Sequence, residues 1–229
     1  MSSISPRERL SRLVELAAET DLAARRSLVD GLADLLLDWP RSYPASMREP
    51  FEALLEKSLG SVETTARVRL ADRFVEHTDA PLHLLNLLMF DAAPETKSVI
   101  LMRNASVVER TSADAPAPGE EAALLATVRK SAPDLLPDII ASRFRIAPEI
   151  GAQVLADESG WMLATLCKGA RTTRATFSAL AVLVRPAATA DESYRRMAAY
   201  DGVPQDGAEA LLAFWRGQAQ PPASAAQAA

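Results

Sequence analysis

The chain has 229 residues, 48% hydrophobic and 24% charged, with a formal net charge of -5. That acidity opposes nucleic acid as the main partner, because nucleic-acid-binding domains carry a basic excess that displaces phosphate counterions. A single cysteine, Cys167, excludes an intramolecular disulfide and a cysteine-based zinc site.

Only 9 glycines and 5% aromatics accompany abundant Ala and Leu, a balance that favours helix over sheet. No segment sustains a period of two, so the expected fold is all-α, with roughly ten to thirteen helices. The start, Met1 to Arg9, lacks the apolar core of a signal peptide, and no stretch approaches the roughly 20 apolar residues of a membrane span. A cytoplasmic protein in a reducing compartment is expected.

From Pro6 to Ala18, residues Leu10, Leu13, Val14 and Ala17 share one stripe, with Arg7, Glu8, Arg12 and Glu15 outside it. Thr20 and Asp21 recap the chain for a helix from Leu22 to Asp38, which stops at Trp39-Pro40. A third helix opens at Pro50 and ends near Gly60, where Ser61 can cap the next. The stretch from Thr65 to Asp91 reads as an amphipathic helix, a corner at Asp79-Ala80-Pro81, and a nearly all-apolar helix through Leu84, Leu85, Leu88 and Phe90. Such a pair cannot bury its apolar surface alone, and it is the unit of a stacked helical array. Leu70, Phe74, Leu84, Leu85, Leu88 and Phe90 are the expected core.

Pro94 to Met102 makes a further helix that Arg103-Asn104 ends. Ser112 to Gly119 holds only turn and breaker residues. Helices are then expected over Glu120 to Ser131, Leu135 to Phe144, Pro148 to Ala156, Ser159 to Lys168, Thr173 to Val184, Asp191 to Tyr200 and Pro204 to Trp215. The chain therefore divides into an N-terminal helical half (1–105), a loop or seam (106–119), a C-terminal helical half (120–217) and a disordered tail (218–229).

Ala24-Arg25 to Asp34 and Ala66-Arg67 to Glu76 match in step at a spacing of 42 residues, within the roughly 40 to 47 of HEAT and armadillo repeats. Ala66-Arg67-x-x-Leu70-Ala71-Asp72-Arg73, then Asp79-Ala80-Pro81 and the leucine-rich helix, resemble a bacterial family of uncharacterised HEAT-like helical proteins, a domain of unknown function. Ala164-x-Leu166-Cys167-Lys168 and Arg174-Ala175-Thr176-Phe177 look like that family's last helices. The resemblance implies a HEAT-like α-solenoid or stacked helical-hairpin array and no activity.

Candidate chemistry is sparse. His77 and His83 stand six apart across a corner, not the three or four that put two ligands on one helix face, and they read as surface histidines. The order of residues after His77 also departs from a sensor-kinase phosphoacceptor. Cys167 lies on an apolar face and reads as a buried thiol despite its neighbour Lys168. Lys168, Arg171 and Arg174 cluster at a helix junction and are candidate anion ligands, or solvated caps. Arg25, Arg67, Arg69 and Arg73 form a second basic stripe, read as an inter-repeat ion-pair ladder or a nucleic-acid face.

Tyr200, Phe214 and Trp215 are interface-type residues near the tail. They form either a partly exposed patch that docks a partner or a second copy of this chain, or the closing layer of the last core. No catalytic set, metal site or cofactor motif is found. The function expected is a non-enzymatic scaffold or adaptor for another protein or for a second copy of the chain in a homodimer, with nucleic-acid binding or phosphate sensing as the alternative.

Overall fold

A computed structural model describes residues 6–19, 21–107, 118–186 and 189–219. Among these residues the chain forms thirteen α-helices, two short 3₁₀ turns and no strand, as expected of an all-α sequence. None of the described helices is long and apolar enough to cross a membrane. Two compact units divide at Thr96 and Lys97.

The first unit holds α1 (Pro6–Ala18), α2 (Leu22–Leu37), α3 (Arg48–Leu59), α4 (Thr64–Glu76) and α5 (Leu82–Leu88). Helix α2 packs on α1, α3 and α4, while α5 packs on α3 and α4, so every partner is one or two helices away in chain order. At the 42-residue spacing, α2 and α4 bury three matching positions. Leu28, Val29 and Leu32 of α2 are buried, and so are their counterparts Leu70, Ala71 and Phe74 of α4. Asp21 caps α2 by accepting from the Ala24 amide at 2.9 Å, which satisfies one of the orphan donors of the first turn. Ser61 does not cap α4: its hydroxyl donates to the Ser58 carbonyl, and Glu63 holds the N-cap position. Of the expected core residues, Leu70, Phe74, Leu84, Leu85 and Leu88 are buried. Phe90 is only half-buried, because α5 ends at Leu88 and the following turn no longer follows the helical period.

Helix α6 (Pro94–Val107) outlasts the stop expected at Arg103-Asn104: Asn104 is buried and its side-chain amide donates to the Ile100 carbonyl at 2.9 Å, in register with the helix. The division between units falls inside this helix and not at the expected seam. Thr96 donates its hydroxyl to Asp72 of the first unit, whereas Lys97 pairs with Asp157 of the second. Residues 108–117 of the seam, Thr20 and the tail from 220 onward lie outside the described residues, and Gln218 and Ala219 belong to the last helix rather than to the tail.

The second unit continues with α7 (Pro118–Lys130), α8 (Leu136–Phe144), α9 (Pro148–Ala156), α10 (Trp161–Gly169), α11 (Arg174–Val184), α12 (Ala190–Gly202) and α13 (Gln205–Ala219). Its centre is α10, which packs on α9, α11, α12 and α13. Met162, Leu163, Ala164, Thr165, Leu166, Cys167 and Gly169 of α10 are all buried, so it is a helix covered on nearly every side. Contacts also join helices far apart in the chain, α7 with α11 and α10 with α13.

Helix α13 reaches its neighbours through small residues. A methyl group on Gly207 would lie 2.1 Å from the Leu101 carbonyl oxygen, and one on Gly169 would lie 2.4 Å from that of Ala208. Gly207→Ala should therefore destabilise the chain by roughly 1–3 kcal/mol, despite alanine's better helix propensity. Urea denaturation will read this as a lower midpoint at unchanged slope.

Candidate functional site

The close approach of α13 decides the fate of the aromatic group. Leu211, Leu212 and Trp215 share the buried face of α13, and Trp215 is 1% exposed. The exposed patch expected of Tyr200, Phe214 and Trp215 is therefore not formed. Tyr200 stacks on Phe177 with ring centroids 5.0 Å apart and donates its hydroxyl to the Thr172 carbonyl at 2.6 Å. Tyr200 and Phe214 are both half-buried. Trp215 thus lies in the core and Tyr200 packs on Phe177.

Lys168, Arg171 and Arg174 are brought to one end of α10, but each already has an acceptor. Lys168 donates to the Tyr200 carbonyl at 2.9 Å with its ammonium 5.0 Å above the Tyr200 ring. Arg171 donates to Glu209 at 2.8 Å, and Arg174 forks onto both oxygens of Asp201. An incoming anion would have to displace two carboxylates.

Two arginines of the first unit's stripe, and the neighbouring Arg26, are engaged in the same way. Arg67 forks onto Asp91 and also donates to the Val62 carbonyl at 2.7 Å, Arg73 pairs with Asp34, and Arg26 with Glu63. Hydrogen bonding to Asp91 raises the Arg67 pKa. These are links between helices within one unit, and they occupy Arg67 and Arg73 of the face considered for nucleic acid.

His77 is exposed and His83 stands 3.8 Å from Glu52. Among the described residues, no three His, Cys, Asp or Glu side chains are grouped so as to share a metal ion. Cys167 is fully buried, and burial followed by the charge of Glu121 pushes its thiol pKa far upward. A thiol in that state is a poor nucleophile. Cys167 should resist a thiol-modifying reagent at neutral pH and react at the rate of a free thiol once denaturant is added. Rapid labelling of the native chain would contradict its placement in α10.

Sequence reading did not find Glu121. It is buried on α7, and its carboxylate accepts from the Thr173 amide at 2.9 Å and from the hydroxyls of Thr173 and Thr176 at the start of α11. Burial disfavours its charge, but these hydrogen bonds outweigh that cost and hold the carboxyl below its usual range. The helix N-terminus it faces adds a favourable dipole.

Between α7 and α8 runs an open cleft of about 630 Å³. Helix α7 lines it with Glu120, Ala123, Leu124 and Thr127, a helical face of spacing three and four. The opposite wall consists of Leu135, Asp138, Ile139, Ser142 and Arg143 at the same spacing. Leu135 is 50% exposed and Ile139 half-buried, so apolar surface is open to water beside a polar rim. Arg143 and Glu120 pair at 2.7 Å, and among the described residues Asp138 is the one charge of the lining without an ion pair. The period of these residues was readable, but which of two helical faces stays open was not.

Comparison with family models, curated proteins and solved structures finds no match to this chain.

Proposed function

We propose that the chain is a non-enzymatic helical-repeat adaptor whose α7–α8 cleft holds an amphipathic helical segment of another protein. Apolar anchors of that segment would cover Leu135 and Ile139, and a basic residue would face Asp138. The observation that carries this reading is the pair of apolar side chains open to water in a cleft whose lining has one acid, Asp138, with no ion pair among the described residues. Helix-in-groove recognition uses such surfaces, with anchors at positions three, four and seven apart. A HEAT-like array is supported by the first unit, where helices pack one or two apart in chain order and α2 and α4 repeat their buried face.

Helical peptides selected by display against the full chain provide the test. Asp138→Lys and Ile139→Glu should each weaken the selected peptides by about tenfold or more, and Val182→Glu on α11 should leave them unchanged. Peptides that bind all three variants equally would remove the cleft as the site. A second copy of the chain in the cleft would instead show as a dimer in sedimentation that Ile139→Glu dissociates.

A further inference from the structure

Outside the α7–α8 cleft, two arginines of the second unit stand in the left-handed backbone region: Arg145 with φ 59° and Arg171 with φ 55°. Each follows a helix and closes it in the same way. Ile146 donates its amide to the Ala141 carbonyl at 3.0 Å at the end of α8, and Thr172 donates to the Cys167 carbonyl at 2.8 Å at the end of α10. Glycine fits that cap without steric cost, and an L side chain there is strained. An arginine in such a place directs attention to the contacts of its side chain.

For Arg171 the use is visible, since its guanidinium pairs with Glu209 of α13. Seven residues further on, nearly two turns along the same face of α13, stands Arg216. Arg216 donates through Nε to the Phe144 carbonyl at 2.9 Å, which places it beside Arg145. Burial and then the like charge of Arg145 pull its pKa down. Among the described residues no carboxylate forms an ion pair with either arginine. The two left-handed caps thus meet the same helix, one with opposite charge and one with like charge.

We propose that Arg145 and Arg216 form a binding site for a phosphate group, free or esterified, which supplies there the negative charge that Glu209 supplies to Arg171. Two guanidinium groups present forked donors that match a phosphate's oxygens, and the anion removes their mutual repulsion. The site is separate from the α7–α8 cleft and stands whether or not that cleft binds a peptide.

Thermal melting of the full chain tests it, with inorganic phosphate or glycerol phosphate titrated against chloride at matched ionic strength. Phosphate should give a saturable rise of about 2–4 °C in the wild type. Arg145→Gly should melt about 2–4 °C higher than wild type without phosphate, because the backbone is relieved, and should lose the phosphate response. Arg171→Gly, altered at the matching cap, should keep that response in full. A stronger rise with glycerol phosphate than with inorganic phosphate would assign the site to phosphate esters, and the reverse to the free ion. A wild type that responds no more than in chloride, or an Arg145→Gly chain that responds as the wild type does, would overturn the proposal.

Discussion

Replacing Lys97 by Met should destabilise the second unit by about 3–5 kcal/mol, the cost of leaving a buried charge without its partner. The Lys97 and Asp157 side chains are 3% and 9% exposed and lie 3.0 Å apart. Asp157 also accepts from the Met162 amide at 2.9 Å and from the Ser159 hydroxyl, so it anchors the start of α10 as well as the lysine of α6. Gly160 completes this corner at φ 78°, where a methyl group would also press on Arg196 at 3.3 Å. The double variant Lys97→Met with Asp157→Asn removes the charge but keeps an N-capping side chain, and it should recover most of the loss. Urea midpoints of the three chains will decide, and equal midpoints for wild type and the single variant would show that the pair is dispensable.

The same pair gives the chain an acid-sensitive component. Burial disfavours the Asp157 charge, but Lys97, the Met162 amide and Ser159 outweigh it and hold the carboxyl below its usual range. A carboxyl depressed in the folded state contributes stability that is complete above the unfolded value of about 3.9 and is lost as pH falls through the lower folded value. The stability difference between wild type and the double variant should therefore shrink below about pH 4 and be flat from there to neutrality.

Leu85→Ala should cost about 2–5 kcal/mol in the first unit. Leu85 is fully buried on α5 between Leu84 and the half-turn before Leu88, and α5 packs on both α3 and α4. Truncation removes about three buried carbons' worth of transfer free energy and leaves a void that two helices would have to move to fill. A loss below about half a kcal/mol would mean that α5 is a surface helix.

These two effects differ in how they could be foreseen. Leu85 is legible from the chain alone because a run of leucines at helical spacing after Pro81 has to be covered on most sides, whatever covers it. The all-helical fold, the burial of Leu70 and Phe74, the matching faces of α2 and α4, and the inert setting of Cys167 have the same local origin: they follow from period, composition and capping residues within about one helix length. Lys97 gives no such sign. Its partner is 60 residues away, and a lysine in the first turns of a helix otherwise belongs in water. Glu121, the close passage of Gly207 past Leu101, and the opposite fates of Arg171 and Arg145 are of this second kind. So is Trp215, which the sequence left open between an exposed patch and the last core layer and which lies buried on α13. Sequence by itself determined that helices form here and that they carry apolar residues at helical spacing. Only the tertiary structure decided which buried faces meet, because that choice rests on contacts between residues distant in the chain, and so it alone set which charges are matched and which apolar face, between α7 and α8, remains open.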